Sequence, residues 1–261
     1  MNSHHITSYP TWNTLPLQMA QAHDLNHADL RQLLHRLRFA NAQGIANDLQ
    51  TLNSQIRHSQ TRHSQSIDDL IQTPIAHASV LVALTNERHP MLLLTKRASH
   101  ITAHAGEIAF AGGKYEPADT NNIVTALRES LEEVNLDPTG VRLLGQLPTQ
   151  TSKSGLVVRP IVAVIPPNLS LQAEQGEIER IFWADWQYLR HAPTVDYHLI
   201  TQVAGQSMKL VTPCWQVDGE TVWGLTGRII ASLLKVGFDR HIEWYYRQQT
   251  QQGLDDIIHD H

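Results

Sequence analysis

Three glutamates, Glu129, Glu132 and Glu133, stand close together in the run Arg128-Glu129-Ser130-Leu131-Glu132-Glu133. On a helix, at roughly 100° per residue, their carboxylates share about one quadrant. Ile123, Leu127, Leu131 and Val134 then fall on the opposite side, so the helix buries one stripe and presents acids on the other. The arrangement is costly for a plain surface helix. Like charges three and four apart repel by roughly 0.2–0.5 kcal/mol per pair. They also sit in the last two turns, where the helix dipole disfavours negative charge. Arg128 is the only cation inside the helix and cannot neutralise three acids. A divalent cation can, and oxygen ligands one turn apart suit a hard ion such as Mg²⁺ or Mn²⁺ rather than zinc. For this cluster alone a solvated acidic face is the competing reading.

The flanking residues favour the metal. Gly112 and Gly113 open the segment, a short polar loop carrying Glu116 and Asp119 follows, and the helix is expected to run to about Val134. Asn135 suits the left-handed conformation that ends a helix.

The segment 112–136 resembles the signature of Nudix hydrolases, matched at Gly113, Asp119, Arg128, Glu129, Glu132, Glu133 and Leu136. One residue more than the common spacing separates Asp119 from Arg128, which is a feature of the coenzyme A pyrophosphatase branch. Leu93-Leu94-Thr95, Arg97-Ala98, Gly106, Phe110 and Gly112-Gly113 resemble that branch's upstream motif. So do Ser154-Gly155 with Pro160, and Trp223-Gly224-Leu225-Thr226. The likeness covers about residues 75 to 235, with Thr102, Ala111 and Asn135 departing from it.

The resemblance implies an α/β protein, a Nudix-type α/β/α sandwich with a mixed β-sheet, preceded here by an N-terminal helical extension. It implies that Glu129 and Glu133 hold Mg²⁺ or Mn²⁺, that Glu132 joins a second ion, and that Arg128 orients a carboxylate. Glu177 is the loop position that best matches a further metal-binding carboxylate. Gly112 and Gly113 would approach the pyrophosphate, with Arg97, Ser154 and Arg159 as further substrate contacts. The implied reaction is hydrolysis of the diphosphate bond of coenzyme A, or of a related nucleoside diphosphate derivative such as ADP-ribose or a dinucleotide. Thr102, standing where the branch has arginine, keeps those other substrates open. Outside the enzyme class, the alternative is a non-catalytic nucleotide-binding or regulatory protein on the same fold.

The rest of the chain must position these groups. Its 261 residues, 41% hydrophobic, suffice for one large domain or a medium domain with an extension. A formal charge of −5 argues against a broad nucleic-acid or anionic-membrane surface. Cys214 is the only cysteine, so neither an internal disulfide nor a cysteine zinc site is expected. The opening MNSHHITSYP lacks a basic and then apolar leader pattern, and no apolar run reaches the roughly 18–20 residues of a membrane span. A cytoplasmic protein acting on a small coenzyme A-like diphosphate is expected, with no nucleic-acid or membrane partner and a homodimer left open.

Three regions are expected: a helical extension and linker over 1–73, the hydrolase domain over 74–248, and a polar, frayed tail over 249–261. Asn26 is placed to cap a helix carrying Leu30, Leu33, Leu34 and Leu37. A second amphipathic piece follows through Ile45, Leu49, Leu52 and Ile56, and 58–66 looks like a linker. Packing of these helices on the main domain is favoured over a partner-binding or dimer-forming arm. Strands are expected near residues 79–84, 91–95, 141–147, 157–165, 181–183, 198–203 and 208–217, the last two as a ribbon beside the pocket. The last helix begins near Trp223 and buries Ile229, Ile230, Leu233, Leu234 and Phe238. Trp244, Tyr245 and Tyr246 stay open between stacking on an adenine and core packing at helical spacing, the core reading being favoured. Lys96 stays open between a phosphate contact and a strand-end cation, and the polar loop 149–155 between a phosphate cradle and a hairpin turn. His100 and His104 are expected to be structural or exposed rather than metal ligands.

Overall fold

Long apolar runs with no polar alternation, such as 79–84 and 161–165, call for strands covered on both faces. The computed structural model describes Trp12 and residues 15–38, 66–101, 104–203, 206–242, 245–248 and 257–258, with the backbone alone for 195–203, 206–210 and the last two segments. The central sheet contains β1 (Ala78–Thr85), β2 (Met91–Arg97), β3 (Ile108–Ala109), β4 (Gly112–Lys114), β5 (Arg142–Gln146), β6 (Gln150–Thr151), β7 (Val157–Ile165) and β8 (Ile178–Asp185). Its main order is β3-β2-β1-β7-β5, with β4 beside β1, β6 beside β7 and β8 beside β2. β1 and β7 run parallel from Ala78 opposite Val158 to Thr85 opposite Ile165, and the other described pairings of this sheet are antiparallel. The sheet is therefore mixed.

Helices cover both faces: α1 (residues 28–38), α2 (Ile67–Ile71), α3 (Asn122–Val134), α4 (Trp186–His191) and α5 (Gly224–Phe238). Leu81, Ala83, Leu93, Ile161, Ala163 and Ile165 point to one face and pack with Ile123, Ala126, Leu127 and Val134 of α3. Their strand neighbours Val82, Leu84, Leu92, Leu94, Val162 and Val164 point to the other, where α1, α4 and α5 lie. This is the two-residue period of a strand, used in both directions. The α/β/α layering expected above is the fold.

The N-terminal segment is part of that second layer. Leu30, Leu33, Leu34 and Leu37 of α1 are buried in the same core as Ile229, Ile230, Leu233 and Leu234 of α5. Burying each leucine contributes roughly 1.5–3 kcal/mol before the entropy of ordering is subtracted. Asn26 does not cap α1. Its amide instead clasps the β1–β2 turn, donating Nδ2–H to Asn86 O (2.9 Å) and backbone N–H to Asn86 Oδ1 (2.9 Å). His27 Nδ1 accepts from Asp29 N–H and supplies the local cap (3.0 Å). The second helix expected through Ile45 to Ile56 lies outside the described residues.

β9 (Val195–Val203) and β10 (Gln206–Val217) form a long antiparallel ribbon, joined by β11 (Glu220–Val222), β12 (Tyr245–Gln248) and β13 (Ile257–Ile258) in a second sheet. Two expectations fail here. Tyr245 and Tyr246 belong to a strand paired with Val211 and Leu210 rather than to a helix, while Trp244 lies outside the described residues. The segment expected as a frayed tail contributes β13, paired with β12. An edge of β10 for β12, and then of β12 for β13, offers main-chain pairing that a polar or aromatic composition does not announce.

Candidate active site

Helix α3 starts where Asn121 accepts hydrogen bonds from the N–H groups of Ile123 and Val124 through Oδ1, both at 3.0 Å. It ends at Asn135, which takes φ 55° and ψ 38°, the left-handed cap expected from the sequence. Between these ends nearly every residue is buried, Arg128 and Glu133 included. The stripe reading was too simple. Sheet and loops wrap most of the helix, and Glu133 lies inside rather than on a solvated face.

Arg128 is the hub. Its Nε donates to Asp119 Oδ1 (2.7 Å) and Nη2 to Asp119 Oδ2 (3.1 Å). The same guanidinium reaches Glu132 Oε2 (2.9 Å), Glu129 Oε1 (3.0 Å) and Lys114 O (3.1 Å). Burial alone would push the Asp119 carboxyl up. The bonds from Arg128 and from Glu116 N–H outweigh it and hold the group below the usual carboxylate range.

Gly112 and Gly113 fit the backbone around these acids. Gly112 N–H donates to Glu133 Oε2 (3.0 Å). A Cβ at Gly113 would fall inside the Glu129 carboxylate, so only glycine leaves that group its place. Burial pushes Glu129 up from its ordinary value, with Arg128 opposing. Burial pushes Glu133 up to about 8, against the pull of Gly112 N–H and Arg97. Arg97, at the end of β2, holds Nη1 3.5 Å from Glu133 Oε1 and Nη2 4.0 Å from Glu177 Oε2.

Glu129, Glu132, Glu133, Glu174 and Glu177 line one open cleft. Glu174 was not singled out from the sequence. Its one local signal is Gly176, where a Cβ would stand 2.9 Å from Glu174 Oε2. The cleft's donors are all carboxylate oxygens, which suits a hard divalent cation. The fit is one of composition and burial. Among the described residues no three ligating groups already converge on one point, and Arg128 binds both Glu129 and Glu132.

Other sequence candidates sit apart from the cleft lining. Arg159 donates Nη2 to Pro74 O (2.8 Å), holding the segment that leads into β1. Ser154 pairs with Ser152 across an exposed turn (Oγ–Oγ 3.0 Å), the hairpin reading of that loop. Lys96 is taken up by Glu179 (3.2 Å) and Glu220 (3.1 Å), which makes it a strand-end cation. His104 Nδ1 lies 2.8 Å from Glu107 Oε2, and His100 is exposed. Thr102 lies outside the described residues. Among the described residues no helix is long and apolar enough to cross a membrane.

The NUDIX domain profile matches residues 76–201, from the start of the central sheet into the ribbon. An uncharacterized Nudix hydrolase NudL of Photorhabdus laumondii is 37% identical over 157 residues, covering 60% of this chain and 82% of the relative. The chain is a Nudix hydrolase. A second relative of that name, from Salmonella heidelberg, is 34% identical over 183 residues, 67% of this chain and 94% of its own length. Among solved structures, a MutT/nudix family protein from Enterococcus faecalis is 13% identical, with a TM-score of 0.38 over 75% of this chain and 70% of that one. Membership places this Nudix protein among enzymes that hydrolyse nucleoside diphosphate derivatives.

Proposed function

We propose that this Nudix hydrolase cleaves the diphosphate bond of coenzyme A, or of a closely related nucleoside diphosphate derivative, with Mg²⁺ or Mn²⁺ held by Glu129, Glu133, Glu132 and Glu177. The observation that carries the reading is the concentration of five carboxylates in one cleft, one of them the buried Glu133. Arg97 and Arg128 reach these acids, and two cations against five acids leave an excess of negative charge. A diphosphate anion would be repelled from such a cleft unless further positive charge bridged the two.

When bound, the ion would polarise the phosphoryl oxygens, activate water and offset charge on the departing phosphate. The chain's own residues prepare the rest. Arg128, braced by buried Asp119, fixes Glu129 and Glu132 by charge-assisted bonds. Gly112 N–H orients Glu133. Arg97 stands between Glu133 and Glu177, where its guanidinium can exchange a carboxylate for a substrate phosphate oxygen. No side chain needs to act as a covalent nucleophile.

The test offers coenzyme A, ADP-ribose and NADH with Mg²⁺ or Mn²⁺ to the wild-type chain and to Glu133→Gln, with products separated by chromatography. Metal-dependent release of adenosine 3′,5′-bisphosphate from coenzyme A, lost in Glu133→Gln, is the expected result. Faster cleavage of ADP-ribose would move the substrate within the class. Cleavage of none would favour a binding protein on this fold.

A further inference from the structure

β2 and β8 keep a regular antiparallel register from Met91 opposite Asp185 to Lys96 opposite Arg180, which would next set Glu179 opposite Arg97. Instead Ile178 stands there, and Glu179 is the extra residue of a β-bulge. The bulge cannot slide away. On one side the chain is anchored by Glu174 N–H donating to Glu133 O (2.8 Å) and Ala98 N–H donating to Glu177 O (2.8 Å). The Lys96–Arg180 pair anchors the other side. Side-chain direction is what the extra residue changes. Leu93, Ile181 and Trp183 pack on the α3 face of the sheet, while Leu94, Phe182 and Ala184 pack on the opposite face. By that alternation Arg97 and Glu179 both belong on the α3 face, with Cβ atoms roughly 5 Å apart. Arg97 is found there, beside Glu133. The Glu179 carboxylate instead turns to Lys96 (Nζ–Oε1 3.2 Å) and accepts from Ser99 Oγ (2.6 Å). Lys96 is held in turn by Glu220 of β11 (3.1 Å).

We propose that Lys96 and Ser99 are positioning residues for Arg97: by holding Glu179 in the bulge they keep a competing carboxylate off the guanidinium, which stays available to a diphosphate. The assignment rests on the hydrolase reading above, in which Arg97 takes up a phosphate oxygen. Contact lengths support it. Arg97 meets Glu133 at 3.5 Å and Glu177 at 4.0 Å, loose pairings that a phosphate can displace. Glu179 is held more closely, at 2.6 and 3.2 Å. An acid directly across the ladder would pair with Arg97, as opposite charges at such positions do. It would also bring more negative charge to a cleft already lined by five carboxylates. Arg180 strengthens the arrangement by joining Asp218 (2.8 Å) and Glu220 (3.3 Å), so Glu220 has a second cation and does not depend on Lys96.

The test measures kcat and KM of the full chain with Mg²⁺, on whichever of coenzyme A, ADP-ribose or NADH the wild type cleaves fastest. Lys96→Met with Ser99→Ala releases Glu179 and should raise KM by about fivefold, the scale of an ion pair near the surface, with kcat changed less. Adding Glu179→Gln should bring KM back to within about twofold of the wild type, because the competitor is gone. Adding Glu220→Gln instead restores the same net charge and should leave KM raised. A merely structural clamp predicts no such recovery, since each further loss would do further harm. Circular dichroism verifies folding, and should the paired variant fail to fold, Lys96→Met alone carries the same comparison with a smaller rise. An unchanged KM in the paired variant, no recovery with Glu179→Gln, or equal recovery with Glu220→Gln would overturn the assignment alone. A wild type that cleaves none of the three would overturn the hydrolase reading and this one together.

Discussion

Arg128 shows how one side chain can hold several acids of a cleft in place. Its planar fork serves two oxygens of Asp119, one each of Glu129 and Glu132, and Lys114 O. Lysine offers one point charge and cannot satisfy that set. Arg128→Lys should therefore lower kcat roughly 10–100-fold while the chain stays folded. Arg128→Ala leaves the fully buried Asp119 uncompensated and should cost about 3–5 kcal/mol in urea unfolding. Gly113→Ala is the opposite kind of change. It leaves the ionic cluster's charges intact but puts a methyl where Glu129 sits, so turnover should fall by about 10-fold or more with only a small shift in unfolding midpoint. An unchanged rate in Gly113→Ala would mean that Glu129 is free to sit elsewhere. At this scale the sequence was informative where spacing on one helix decides geometry, as for Glu129, Glu132 and Arg128. It was silent on Glu174, which owes its place to main-chain bonds on a helix end. It misjudged Glu133, whose burial depends on a strand and a loop remote in the chain.

Elements were legible in the same measure. The runs at 79–84, 157–165 and 224–238 carry enough apolar periodicity to name β1, β7 and α5. Two-residue strands such as β3 and β6 have no period to read, and their pairing partners create them. What the sequence could not give is how α1 is attached. Asp29, buried on α1, accepts from Trp186 Nε1 (3.0 Å), Gln187 Nε2 (3.0 Å) and Arg190 Nη1 (2.5 Å), all on α4. Burial would raise its pKa. The bonds from Arg190, Gln187 and Trp186 outweigh that and hold it below the model-compound value of 3.8. A depressed native pKa means that the unfolded chain binds the proton more readily. The stability contributed is thus complete above about pH 4 and disappears as pH falls through the native pKa. Asp29→Asn should lose roughly 1.5–3 kcal/mol near neutrality, the range for hydrogen bonds to a charged group. The gap between wild type and variant should close as urea unfolding is repeated toward pH 3. A constant gap would assign the loss to shape rather than charge.

On the scale of the whole molecule, the central sheet is stable only with both faces covered, and the two covers differ in origin. One comes from α3, within the stretch matched by the NUDIX profile at 76–201. The other is built from α4, inside that stretch, from α5 beyond it, and from α1, which ends at residue 38, well before the profile begins. The helices of the second cover interlock: Gln32 Nε2 donates to Gly237 O (2.8 Å), and a Cβ at Gly237 would collide with Leu33. Arg36 closes the same contact through Asp239 (2.5 Å). A division into a separate N-terminal extension over 1–73 and a self-sufficient domain over 74–248 then makes a distinct claim about cooperativity. Were the extension separable, a chain beginning at residue 74 would keep its unfolding midpoint. Removing α1 instead uncovers a face that includes Trp186, Leu189, Leu233 and Leu234, and large apolar faces of this kind drive association. The truncated chain should bind a hydrophobic dye and aggregate. In the full chain, Leu33→Ala should cost about 2–5 kcal/mol in a single cooperative transition. A truncation that stays monomeric with an unaltered midpoint would show that α5 and α4 suffice, and that the Leu33 contact is an attachment rather than part of the core.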